Sequence, residues 1–206
     1  MLCVGGCLSA PIARADSFQG SVWSLSTNGA DLDANPSTQT FEVNLTVNTM
    51  GYTGGGSFLE SVALKVSSAL SNAVLVQAPG GVGNWTIQSG GLGASGCDGA
   101  GSGFECAGAT AIGGGAATPG IYSWIFDLTM ANGALFTGAG QASVKGEFVN
   151  AQGAKVGALV SEPSTLLATP EPEVVSLLLA GSSLMGFIGF MGRGRRRAAA
   201  GSVTIA

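Results

Sequence analysis

Three groups of residues have types and spacings that chemistry can use. The first is Asp31-Leu32-Asp33-Ala34-Asn35, a D-x-D-x-N opening that puts oxygen ligands at alternate positions, as a calcium loop does. Glu42 falls at the twelfth position, where an EF-hand places its bidentate carboxylate, but Pro36 stands where the sharp turn takes glycine. Two readings follow: a plain Asx turn between strands, or a loop in which Asp31, Asp33 and Asn35 ligate calcium. The second group is Cys97 and Cys106 in CDGAGSGFEC. In an oxidising compartment they are expected to pair as a disulfide, and closing so short a loop stabilises a fold by about 2.5 kcal/mol. A metal pair is the rival reading, weakened because the chain has no histidine and no second cysteine pair nearby. The third group is the carboxylates. Two of them can run a glycosidase, but here they are scattered without a surrounding motif. Without histidine the chain lacks the usual general base and triad partner, so it is expected not to be an enzyme and no catalytic residue is assigned.

The elements that must position these residues read as β. From Thr40 to Thr49, Phe41, Val43, Leu45 and Val47 alternate with Glu42, Asn44, Thr46 and Asn48, the period of a half-buried strand. Tyr122, Trp124, Phe126, Leu128 and Met130 form a second, aromatic row. Shorter alternations cover Ser21 to Ser26, Val62 to Val66, Val74 to Val76, Asn84 to Gln88, Val144 to Phe148 and Lys155 to Val160. About eight strands with one wet face each predict an all-β, two-sheet sandwich over residues 16–160, jelly-roll or immunoglobulin-like. Between Pro79 and Gly120 lie fifteen glycines in 42 residues. That density predicts a long connection pinned by the cysteines, or a binding loop in which Trp85 offers a sugar platform unless it belongs to the core.

Charge narrows the partners. Between Asp16 and Thr169 there are three lysines, no arginine and ten acids, a net charge of minus seven, which excludes a nucleic-acid binder.

The ends of the chain concern location. Residues 1–15 are small and apolar and close on Ala13-Arg14-Ala15, an A-x-A pattern that predicts signal cleavage between Ala15 and Asp16. No lysine or arginine precedes the apolar run, so the natural start is expected upstream, and Cys3 and Cys7 leave with the signal. Residues 161–173, rich in proline, serine and threonine, read as an extended stalk. Val174 to Met191 carries no charge over eighteen residues, about 27 Å of helix and enough to span a bilayer core. Arg193, Arg195, Arg196 and Arg197 follow at once, which orients the span with residues 192–206 in the cytoplasm and the body outside.

Pro170-Glu171-Pro172, the apolar span and the arginine cluster together resemble the PEP-CTERM sorting signal of Gram-negative bacteria, also catalogued as the ice-binding-protein C-terminal domain. The resemblance covers about 30 residues of the chain and departs from the family pattern at Glu173 and in the tail Ala198 to Ala206. It implies an exosortase partner, a membrane transpeptidase with a catalytic cysteine that cuts near Pro170 to Pro172. It also implies an inner-membrane intermediate and delivery to the cell surface or extracellular matrix. The cargo is expected to be a structural or adhesive module, with a carbohydrate- or calcium-binding module of the exopolysaccharide matrix as the alternative and a glycoside hydrolase third.

Overall fold

The computed structural model describes residues 16–168 except 34, 94–95, 100, 102, 132–134 and 158–159. Ala15, the Pro170-Glu171-Pro172 motif, the span Val174 to Met191 and the four arginines after it lie outside the described residues. In chain order the strands are β1 (Asp16–Phe18), β2 (Ser21–Asp31), β3 (Thr38–Asn48), β4 (Phe58–Lys65), β5 (Leu70–Gln77), β6 (Trp85–Ser89) and β7 (Leu92–Gly93). They continue with β8 (Gly96–Cys97), β9 (Glu105–Ala109), β10 (Ile121–Ala131), β11 (Ala142–Val149), β12 (Val160–Ser164) and β13 (Leu166–Ala168). The fold is all-β.

The first sheet has the order β1-β2-β3-β10-β5, and β13 runs parallel to β2. Its centre is the antiparallel β3–β10 pair, in register for eleven residues from Ile121 opposite Asn48 to Ala131 opposite Thr38. Alternation dictates what each strand buries. Phe41, Val43, Leu45 and Val47 of β3 and Trp124, Phe126, Leu128 and Met130 of β10 point inward, while Glu42, Asn44, Thr46, Ser123 and Asp127 stay partly exposed. The second sheet has the order β12-β11-β4-β9-β6 and sends Leu59, Val62, Leu64, Val144, Phe148 and Trp85 into the same core. The two sheets thus cover one another in a sandwich-like arrangement, and each large side chain withdrawn from water contributes about 1.5–3 kcal/mol. Trp85 and Trp124 meet edge to face across the core, 5.2 Å between ring centres. At Gly146 a side chain has no room, because the ring of Trp23 occupies the place of a Cβ. This core draws on residues from Trp23 to Leu166.

Three expectations change. The final strand is not Lys155 to Val160: Lys155 makes only an isolated bridge to Val149, and the strand runs Val160–Ser164. The stalk expected from residue 161 is instead folded through Ala168, because β12 pairs with β11 and β13 with β2, burying Val160, Ser164 and Leu166. Pro163 is tolerated because β12 is an outermost strand. The glycine-rich stretch is not a bare connection either. Ser61 to Leu64 of β4 and Trp85 to Ser89 of β6 both pair with β9, and Trp85 is core. The open edge of the first sheet, β5, carries no charge to discourage pairing. Two irregularities in its register with β10 break that edge instead.

Candidate functional site

The Asp31–Thr40 turn is folded by its own side chains. Oδ1 of Asp31 accepts from the backbone N–H of Asp33 (3.0 Å) and of Thr40 (2.9 Å). Oδ1 of Asp33 accepts from Asn35 N–H (2.9 Å), its Oδ2 from the Thr38 hydroxyl (2.5 Å), and Oδ1 of Asn35 from Ser37 N–H (3.0 Å). The Thr38 hydroxyl and then the Asn35 amide hold the Asp33 carboxyl below its usual range. These are successive Asx turns, and the oxygens that calcium would need are the ones shaping the loop. Glu42 does not close the loop: it stands on β3 in register with Asp127 of β10. Among the described residues no group of three or more histidine, cysteine or acidic side chains is placed to hold a metal.

Cys97 and Cys106 do form a disulfide, with 5.6 Å between their Cα atoms, joining β8 to β9. Ala63, Leu92 and Cys106 make a small buried cluster distinct from the main core, with Cys97 and Phe104 packed against it. The β7–β8 hairpin therefore caps part of the outer face of the second sheet. Gly108 makes this possible, since even a Cβ there would sit 3.3 Å from the Cys97 sulfur.

On the same face the structure brings together two acids that sequence spacing kept apart. A shift in the β4–β11 register between Glu147 and Phe148 leaves Ser61 opposite Glu147 and Leu59 opposite Phe148, with Glu60 between them as the bulged residue. Strict alternation would have aimed Glu60 inward with Val62 and Leu64; the bulge turns it out beside Glu147. Burial, and then the negative charge of Glu147, push the Glu60 carboxyl up, partly offset by Lys155. Glu147 is itself bound to Lys155 at 2.6 Å. A second carboxyl, Glu105 on β9, is almost fully buried; burial pushes it up and a hydrogen bond with Ser89 opposes the shift.

The remaining lysines of this face surround one ring. Lys65 ends β4 and Lys145 lies on β11; their ammonium groups are 5.8 and 4.5 Å from the centre of Phe104. Ser143 is in register with Lys65, and Ser161 with Lys145. Ser161 and Pro163 are exposed beside them. Alternation alone places both lysines on wet faces, but only strand order makes those faces the same one. The Pro79–Gly120 stretch, read as a possible binding loop, contributes Phe104 to this cluster rather than Trp85. Set against known proteins, the chain matches no family model, and no curated protein matches it.

Proposed function

We propose that this is an exported protein whose β domain serves as a structural or adhesive module at the cell surface or in the extracellular matrix. The observation that carries the reading is the three-part tail: Pro170-Glu171-Pro172, an uncharged span to Met191, and four arginines. In this reading an exosortase cuts near the motif and frees a two-sheet sandwich that begins at Asp16. Two features support export: a disulfide, which an oxidising compartment preserves, and a domain that holds its own core up to Leu166. The reading is non-enzymatic, because the chain has no histidine to serve as base and its carboxylates carry no surrounding motif. Carbohydrate binding is the second reading, favoured by the two lysines gathered at Phe104.

The test is the intact mass of the protein from membrane and extracellular fractions of a cell with an active exosortase. The expected mass begins near Asp16 and ends near Pro170 to Pro172. Full-length protein retained in the inner membrane would refute the sorting reading.

A further inference from the structure

We infer that β13 is a clasp that governs the cut at Pro170-Glu171-Pro172: while Leu166–Ala168 is paired with β2 the chain before the motif is withheld from the exosortase, and release of β13 exposes it. The inference rests on the sorting reading and adds its regulation. In the sequence only Thr169 separates the last residue of β13 from Pro170. A peptidase takes its substrate as an extended strand, through the backbone of several residues on each side of the bond it cuts. On the N-terminal side of this motif those residues are β13, in register with Leu25, Ser26 and Thr27 of β2. A strand docked in a sheet cannot at the same time lie in a peptidase cleft. In the cut itself the scissile carbonyl carbon passes to the cysteine sulfur as a thioester, and the thiol proton leaves on the new amine. Water or an amine acceptor then takes the acyl group and restores the thiol.

The fold makes β13 the part that can let go. β12 and β13 follow one another but belong to different sheets: β12 pairs with β11 over five residues, β13 with β2 over three. The crossing falls at Thr165, whose hydroxyl accepts from Gly140 N–H (3.2 Å). β13 runs parallel, the weaker pairing per residue, and has β2 as its one partner strand among the described residues. Of its side chains only Leu166 is buried; Leu167 is half-buried and Ala168 exposed. Unpairing can therefore stop at Thr165 and leave both sheets standing. Such a local opening sets the rate of cleavage when opening and closing are fast relative to the cut.

The test is pulse-chase of the full-length protein in a cell with an active exosortase, read as the rate at which the cut product forms. Ser26→Cys with Leu167→Cys, at positions in register, ties β13 to β2 by a second disulfide, its closure checked by thiol titration. Tying is expected to slow the cut at least about tenfold. An insertion of about six glycine and serine residues between Thr169 and Pro170 should speed the cut of the wild type and restore it in the tied variant. Leu166→Ala should speed it roughly tenfold, whereas Leu128→Val, which loosens the core from β10, should not. The inference is overturned if the tied variant is cut as fast as the wild type, if the insertion changes neither rate, or if Leu128→Val acts as strongly as Leu166→Ala; the sorting reading then stands. If neither the wild type nor the insertion variant is cut, the sorting reading falls and the clasp falls with it.

Discussion

The outer faces of the two sheets obey the same alternation, and each carries a pair of acids on adjacent strands, yet the two surfaces are built differently. On the first sheet Glu42 and Asp127 face each other in regular register, flanked by cross-strand hydroxyl pairs, Thr40 with Thr129 at 2.9 Å and Thr46 with Ser123 at 3.1 Å. Between β3 and β10 the register is unbroken. On the second sheet Glu60 reaches Glu147 only through a bulge, Lys155 offsets the charge, and a disulfide-tied hairpin covers the neighbouring strands. That face mixes acids and hydroxyls with the exposed side chains of Val22, Val74 and Ile121. On the second sheet a bulge, an ion pair and a disulfide-tied cap take the place of that regular pattern.

This contrast can be broken most strongly at the cap. Reduction, or Cys97→Ser with Cys106→Ser, is expected to lower stability by about 2.5 kcal/mol. Hydrogen exchange should rise first around Leu92, Gly96 and Cys97, while the β3–β10 pair keeps its protection; equal loss in both sheets would mean that the cap is not a separate layer. A smaller effect should follow from the buried acids. Glu60 and Glu105 bind their protons more tightly in the folded state, so the stability they contribute is full below the ordinary glutamate value of 4.5 and is lost as pH rises through their raised values. Glu105→Gln should therefore raise the melting temperature at about pH 8, by the equivalent of about 1 kcal/mol, and leave it nearly unchanged at about pH 4. A flat pH profile for the wild type would remove the premise. The smallest effect is expected on the first sheet, where Thr46→Val deletes a half-exposed hydroxyl pair and should change stability by no more than about 0.5 kcal/mol in urea titration. A larger loss would show that the first face is as specialised as the second.

Much of the fold was legible because alternation is a local property. The β3 and β10 rows could be read residue by residue, since each side chain's face follows from its parity along an unbroken strand. The disulfide was legible as well, because two cysteines in a short glycine-rich loop have little else to meet in an oxidising compartment. Reading failed where parity breaks or pairing is distant. Glu60 was unreadable because the bulge shifts the phase within β4, and β13 because Leu166 to Ala168 is stabilised by β2, far away in the chain. The glycines between Pro79 and Gly120 suggested a long connection or a binding loop, yet they punctuate short strands, with Gly90 and Gly96 at positive φ where the chain reverses.

By itself, then, the sequence determined the β class, the inward rows of Phe41 to Val47 and Trp124 to Met130, the cysteine pair and the net negative charge. Each of these follows from short-range stereochemistry or from composition. Tertiary structure decided which faces coincide: it set Lys65 beside Lys145 around Phe104, Glu60 beside Glu147, and the last described strands against the body of the domain. Strand order is fixed by burying both inner faces in one core, and that is a property of the whole chain that no local window contains.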